Sequence, residues 1–143
     1  MIMSHLSILF EGYEMTTSLD LSELQVLIVD DIKSVRTMLG KSLKSLGIQY
    51  VNEASNIEDA MLTIKNKPVD LIFSDWNMQN GDGIDLLKSL RSSAEKRLKY
   101  MKFIMVTGSD DKVMTAMDEG ANNIIHKPFT PEIIMRKLEL LYL

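Results

Sequence analysis

The sequence predicts an α/β fold, a single domain built on a doubly wound parallel sheet of five strands in the order 2-1-3-4-5. Short apolar runs alternate with segments whose apolar residues recur at helical spacing, from Gln25 to the end of the chain. These runs are continuously apolar, as is typical of parallel strands buried on both faces. The 143 residues suit one domain, and no linker or internal repeat divides the sequence.

The first half of the chain supplies three strands and two helices. In chain order these are a strand at Val26–Val29, a helix on Ile32, Val35, Leu39, Leu43 and Leu46, a weak strand at Tyr50–Val51, a helix on Ile57, Ala60, Met61 and Ile64, and a strand at Val69–Phe73. Gly47 is a good stop for the first helix, and Lys67-Pro68 closes the second.

The second half supplies two strands and three helices. In chain order these are a helix on Ile84, Leu87 and Leu90, a strand at Phe103–Val106, a helix on Val113, Met114 and Met117, a strand at Asn123–Ile125, and a helix on Ile133, Ile134, Leu138 and Leu141. Gly120 ends the fourth helix, and Thr130 caps the fifth, with Pro131 at its first position. The methionines on these helix faces are interpreted as core residues.

Composition excludes several classes of function. The net charge of -4 argues against nucleic acid or an anionic membrane as the main partner. No apolar run approaches the length of a membrane span. The absence of cysteine rules out disulfides, thiolate metal sites and cysteine nucleophiles.

Residues 1–22 form an extension that fits no element of the pattern, so residues 23–143 are assigned to the domain. The start, "MIMSHLSILFEGYEM", has no basic residues before its apolar stretch and no small-residue cleavage site, which argues against a secretory signal. Glu11-Gly12 corresponds to purine-rich codons resembling a bacterial ribosome-binding site, and Met15 follows at a suitable distance. One hypothesis is that translation begins at Met15; the alternative is a genuine short arm.

Polar residues lie just after the carboxyl ends of the predicted strands. Asp30 and Asp31 follow the first strand, Asp75 the third, Thr107 the fourth and Lys127 the fifth. Each alone has an ordinary explanation as a helix cap or a solvated surface residue. Because the carboxyl ends of parallel strands meet at one edge, we expect all five to share one pocket there.

Such a pocket suits phosphoryl chemistry. Three carboxylates raise one another's pKa, and a cation relieves that repulsion. Oxygen-only ligands favour Mg²⁺, which binds one or two carboxylates together with a phosphate. A carboxylate can act as the nucleophile and form an aspartyl phosphate, with a hydroxyl and an ammonium on the phosphoryl oxygens. His5 and His126 do not make a metal pair by spacing.

The motifs "VLIVDD", "SDWNM", "GDGIDLLKSLR", "VTG", "GANN" and "HKPF" together resemble the receiver domain of two-component response regulators. The resemblance runs from about Glu23 to Leu143 and is strongest to the stand-alone chemotaxis regulators of the CheY type. It implies the flavodoxin-like and CheY-like sheet order. It also implies roles for single residues. Asp75 would be the phospho-acceptor, and Mg²⁺ would be held by Asp30, Asp31, Asp75 and the backbone carbonyl of Asn77. The Thr107 hydroxyl would move toward the phosphoryl group, Lys127 would pair with that group, and Pro128 would be a cis proline.

The resemblance implies two kinds of partner, a phosphoryl donor upstream and a protein target downstream. The phosphoryl donor would be a sensor histidine kinase, a phosphotransfer protein or a small acyl phosphate. No output domain follows the last helix, so the expected output is a protein contact on the face of the fourth helix, fifth strand and fifth helix. We expect a cytoplasmic monomer that catalyses only its own phosphorylation and dephosphorylation.

Two positions depart from the family pattern. Gln79 stands where proline is usual, which we expect to loosen the loop after Asp75, and Ile124 stands where the chemotaxis proteins carry an aromatic switch residue. One alternative is a small phosphohydrolase of the haloacid dehalogenase type, because Asp75-Trp76-Asn77 resembles its Asp-x-Asp loop. Asn77 could not serve as that enzyme's general acid. A second alternative is a receiver that acts only as a scaffold.

Overall fold

The computed structural model of the chain describes residues 6–10, 13–17 and 19–143. An antiparallel pair comes first, formed by β1 (Leu6–Phe10) and β2 (Tyr13–Thr17). The sequence predicted no strand in this extension. His5 lies outside the described residues, and the start of translation at Met15 stays a prediction.

A five-stranded parallel sheet follows. Its strands are, in chain order, β3 (Gln25–Val29), β4 (Tyr50–Ala54), β5 (Leu71–Asp75), β6 (Lys102–Thr107) and β7 (Asn123–His126). Their order across the sheet is β4-β3-β5-β6-β7, which is the predicted order 2-1-3-4-5. The predicted sheet and single domain are therefore confirmed.

Six helices connect and flank these strands in the described part of the chain. They are α1 (Lys33–Ser45), α2 (Ile57–Asn66), α3 (Gly83–Arg91), α4 (Lys96–Lys99), α5 (Val113–Asp118) and α6 (Pro131–Tyr142). Five correspond to predicted helices, whereas the single turn of α4 was not predicted. A 3₁₀ turn at Asp110–Lys112 leads directly into α5. The predicted cap of the last helix is confirmed, because the Thr130 side chain accepts the backbone N–H of Ile133 at 3.3 Å.

The three central strands β3, β5 and β6 are buried on both faces, as their continuously apolar sequences predict, whereas the edge strand β4 is only partly buried. Val26 and Ile28 of β3 belong to one core, which is closed by apolar residues of α1 and α6. Leu27 and Val29 of the same strand belong to the other core, which is closed by α2, α3, α4 and α5. Successive side chains of a strand point to opposite faces, so a strand between two helical layers is apolar throughout.

The interpretation of the helix methionines as core residues is wrong for α5. Met114 is 73% exposed and Met117 is 44% exposed, while Ala116 is the buried residue of this helix. Met135 of α6 is buried, so part of the interpretation holds. In the described part of the chain, no helix combines the length and apolarity that crossing a membrane requires.

Candidate functional site

Three carboxylates meet at the carboxyl edge of the sheet. Asp30 and Asp31 directly follow β3, and Asp75 is the last residue of the neighbouring strand β5. One oxygen from each of the three lies within 4.8 Å of the other two. Asp30 is 3% exposed and Asp75 is 7% exposed, so the cluster is largely shielded from water. The structure thus brings together the three acids that the sequence placed at this edge.

Asp30 is held firmly by its surroundings. Its Oδ1 accepts the backbone N–H of Ile32 at 2.8 Å, and its carbonyl oxygen accepts from Arg36 at 2.7 Å. Burial raises the pKa of the Asp30 carboxyl; the hydrogen bond from Ile32 opposes this shift, and the negative charge of Asp75 adds to it. The ionised cluster is therefore short of positive charge.

Lys127 supplies an ammonium to the cluster. Its Nζ lies 3.0 Å from Asp75 Oδ1 and 3.8 Å from Asp30 Oδ2. Its backbone N–H donates to the carbonyl oxygen of Thr107 at 2.9 Å, which fixes the residue against the end of β6. The Lys127–Pro128 peptide bond is cis.

Thr107 lies at the same edge but faces its own loop. It is the last residue of β6 and is 1% exposed. Its Oγ1 accepts the backbone N–H of Ser109 at 3.1 Å. In this arrangement the hydroxyl group is engaged by the loop that leads to α5.

The loop after Asp75 is tied to the cluster through Gln79. The backbone N–H of Gln79 donates to Asp31 Oδ2 at 3.0 Å. Proline has no N–H and could not make this bond. This departure from the family pattern therefore adds a tether to Asp31, and the expectation that Gln79 loosens the loop stays a prediction.

Two further residues shape this loop and were missed by the sequence analysis. Gly83 packs directly against the backbone of Asp75, and Lys112 reaches from the turn before α5 to the side chain of Asn77. The "GDG" run and the lysine are both visible in the sequence. Their contacts depend on the path of the loop, which no periodic pattern encodes.

The remaining residues that the sequence singled out make contacts of their own, and the role of the Asn77 backbone carbonyl stays a prediction. Ile124 of β7 is 4% exposed and packs in the core that includes Met105 and Ala116. Asn77 is exposed, and its side chain accepts from Lys112. His126 is exposed, with Nδ1 3.2 Å from Asp110 Oδ1.

The donor set fits Mg²⁺. The cluster offers only oxygen atoms, from carboxylates whose charges Lys127 balances in part. Hard divalent cations take such ligands, and Mg²⁺ typically uses one or two carboxylates and retains water or phosphate at its other positions. The buried acids of this edge would thus gain the positive charge that they lack.

Comparison with known proteins supports the resemblance seen in the sequence. The response regulator receiver domain model matches residues 26–139. A chemotaxis protein CheY homolog of Campylobacter jejuni is 40% identical over 119 residues, which cover 81% of this chain and 90% of that protein. Chemotaxis protein CheY1 of Helicobacter pylori is 37% identical over 120 residues, covering 82% of this chain and 95% of that protein.

Solved structures agree with the observed sheet. The chemotaxis response regulator CheY4 of Vibrio cholerae superposes with a TM-score of 0.72 at 29% identity, covering 81% of this chain and 96% of that one. A putative response regulator from Chloroflexus aurantiacus gives a TM-score of 0.74 at 30% identity, over 82% of this chain and 97% of that one. Because the family model matches most of the chain and the Campylobacter jejuni and Helicobacter pylori relatives are 40% and 37% identical over most of its length, this chain belongs to the response regulator receiver domain family, as a CheY-like member.

Proposed function

We propose that this chain is a single-domain response regulator of a two-component phosphorelay and that it accepts a phosphoryl group on Asp75. The observation that carries the proposal is the position of the Lys127 ammonium, 3.0 Å from Asp75 Oδ1 within the carboxylate cluster. Phosphoryl transfer depends mainly on positioning and on neutralisation of charge. A buried carboxylate beside a lysine and two further acids meets both requirements.

The proposed chemistry begins with attack by an Asp75 carboxylate oxygen on the phosphorus of the donor. The donor is a phosphohistidine of a histidine kinase or phosphotransfer protein, or a small acyl phosphate. A new P–O bond forms, the bond to the leaving imidazole nitrogen or acyl oxygen breaks, and the leaving atom keeps the electron pair. Lys127 offsets the added negative charge. Mg²⁺ held by Asp30, Asp31, Asp75 and the Asn77 carbonyl would supply further neutralisation.

The cycle ends when a water oxygen attacks the phosphorus and the Asp75 carboxylate leaves, which releases inorganic phosphate. The chain thus acts on its own phosphoryl group, and we infer no other substrate. We further propose that the chain catalyses only its own phosphorylation and dephosphorylation, and that it works in the cytoplasm as a monomer. The CheY names of its relatives support a role in chemotaxis.

The proposed output is a protein contact on the face of α5, β7 and α6. When Thr107 turns from Ser109 to a phosphoryl oxygen, the loop that leads to α5 loses one of its hydrogen bonds. Met114 and Met117 are exposed on α5 and offer flexible apolar side chains to a partner. A partner that prefers the rearranged loop would then bind the phosphorylated form more tightly.

The test is labelling of the full chain by acetyl phosphate with Mg²⁺. We expect one acid-stable, base-labile phosphoryl group, located on Asp75 by peptide mass spectrometry. Asp75→Asn removes the nucleophile and should abolish labelling, while Asp118→Asn, an exposed acid away from the cluster, should leave it unchanged. Persistent labelling of Asp75→Asn at a seryl or histidyl site would refute the assignment.

A further inference from the structure

Lys112 joins the two loops that follow the central strands β5 and β6. Its Nζ donates to Asn77 Oδ1 at 2.9 Å. The same ammonium lies 5.2 Å from the centroid of the Trp76 ring, within the range of a cation–π interaction. Lys112 ends the 3₁₀ turn after β6, while Trp76 and Asn77 come directly after Asp75. One side chain therefore bridges the two walls of the phosphoacceptor edge.

The turn that carries Lys112 is connected to Thr107 by hydrogen bonds. The Ser109 N–H donates to Thr107 Oγ1 at 3.1 Å. The Ser109 hydroxyl in turn donates to the Asp111 carboxylate, one residue before Lys112. If Thr107 leaves Ser109 for a phosphoryl oxygen, the Ser109 N–H needs a new acceptor. The turn would then rearrange together with the lysine at its end.

The partners of Lys112 make its contact sensitive to such a movement. Within the described part of the chain, Lys112 forms no ion pair, although Asp110 and Asp111 precede it. It contacts a neutral amide and an aromatic face instead. Hydrogen bonds and cation–π contacts depend steeply on distance and orientation, so a shift of the turn breaks them. The contact is specific to one arrangement of the loops.

We propose that Lys112 is a positioning residue that latches the receiver in its unphosphorylated arrangement by holding Asn77 and Trp76 against the turn after β6. This inference rests on the proposed function of Asp75. The latch stabilises the resting state only, so it lowers the population of the state that retains a phosphoryl group. Removing the Lys112 contact raises the population of that state. The apparent affinity for any ligand that prefers that state rises by the same factor.

The experiment measures binding of beryllofluoride, a phosphoryl mimic, to the full chain in Mg²⁺, with occupancy read from the ¹⁹F NMR signal of the bound ligand. Lys112→Met removes the ammonium and keeps a flexible side chain. Lys33→Met is the matched control, because Lys33 is exposed at the start of α1 and makes no hydrogen bond among the described residues. We expect Lys112→Met to bind about threefold more tightly, in line with the loss of one exposed cation–π contact. Lys33→Met should match the wild type.

The direction of the change separates a latch from a simple charge effect. Losing a nearby positive charge would weaken binding of an anionic ligand, so tighter binding must come from the conformational equilibrium. Trp76 emission gives a second readout: beryllofluoride should change it in the wild type and should change it less in Lys112→Met. Equal or weaker binding by Lys112→Met, with normal binding by the wild type, overturns the latch. Failure of the wild type itself to bind overturns the proposed function and the latch with it.

Discussion

At the scale of single residues, Gly83 shows how closely the loop after Asp75 is packed. A Cβ atom at Gly83 would lie 2.1 Å from the carbonyl oxygen of Asp75 and 2.9 Å from Ser74 Oγ. The Gly83 N–H also donates to the carbonyl oxygen of Trp76 at 2.7 Å. The absence of a side chain lets α3 begin directly against the peptide of the proposed phosphoacceptor.

Gly83→Ala should therefore lower the free energy of unfolding by about 1–3 kcal/mol, the usual cost of overpacking. It should also slow labelling by acetyl phosphate, because the Asp75 backbone must shift. Urea denaturation and the labelling rate measure the two effects. Gly108→Ala is the control, since a Cβ there meets no atom within 4 Å. Equal stability of the two variants would contradict the steric argument.

Asp30 gives a prediction about pH. Burial, with the charge of Asp75, raises its pKa above the usual 3.8. A raised pKa means that the folded state binds the proton more tightly than the unfolded state does. The contribution of Asp30 to stability is thus fully present below pH 3.8 and is lost as the pH rises through the folded pKa. At neutral pH and without Mg²⁺, the ionised carboxylate destabilises the fold.

Asp30→Asn should accordingly raise the free energy of unfolding at neutral pH by about 1 kcal/mol, a size typical of improved charge interactions. The amide oxygen can still accept the N–H of Ile32. Urea denaturation in EDTA should show this gain shrinking as the pH falls toward the unfolded pKa. A variant that is less stable than the wild type at neutral pH would show that the charge of Asp30 is already compensated.

Which of these residues the sequence could reveal depends on what places them. Asp30, Asp31, Asp75 and Lys127 follow predicted strands, and the geometry of a parallel sheet alone brings strand ends together. The contacts of Lys112 arise from a loop and a 3₁₀ turn. Neither has a periodic signal, so only the structure shows that the two loops are bridged.

At the scale of elements, the same reasoning explains the correct and the incorrect predictions. The central strands β3, β5 and β6 were found because burial on both faces makes their sequences continuously apolar, whereas the edge strand β4, with the sequence YVNEA, gave only a weak signal. Their order came from a general rule for doubly wound folds rather than from any local pattern. The helix α4 has four residues with one buried side chain, Leu98, too short a segment for periodicity to detect. In α5 the spacing located the helix and Val113 packs against the core as predicted, but Met114 and Met117 are exposed and Ala116 is buried instead.

The proposed output face of α5, β7 and α6 carries a prediction that rests on Ile124. Ile124 has no aromatic ring, and its branched side chain is stiff at χ1 and only 4% exposed. It therefore cannot move between buried and exposed positions as an aromatic switch residue would. Phosphorylation should then raise binding to a flagellar motor switch peptide by less than about tenfold, under roughly 1.4 kcal/mol of coupling. Ile124→Tyr should increase this gain. Fluorescence anisotropy of a labelled peptide, with and without beryllofluoride, measures it.

Ile124→Val is the matched control, because it shortens the side chain without adding a ring, and its gain should equal that of the wild type. The tyrosine variant needs a check of stability, since a larger side chain at a buried site costs about 1–3 kcal/mol. If phosphorylation raises peptide binding by the wild-type protein far more than tenfold, Ile124 does not limit the switch and the chain behaves as an ordinary motor regulator.

At the scale of the whole molecule, Mg²⁺ binding by the carboxylate cluster would be coupled to folding. The unfolded chain does not hold Asp30, Asp31 and Asp75 together, whereas the folded chain keeps their oxygens within 4.8 Å. A ligand that binds only the folded state stabilises it by mass action, by about 1.4 kcal/mol for each tenfold excess over its dissociation constant. Measuring the unfolding of the single domain would therefore report Mg²⁺ binding directly.

We expect the free energy of unfolding to rise with the logarithm of Mg²⁺ concentration once the site begins to fill, and Trp76 emission to change over the same range because the ring adjoins Asp75. Asp31→Asn keeps an oxygen for the Gln79 N–H but removes one charge, so both curves should move to higher Mg²⁺. Asp118→Asn removes an exposed charge elsewhere and should leave both curves in place. A stability that stays flat across millimolar Mg²⁺ in the wild type would show that the cluster does not bind the ion, whatever Trp76 reports.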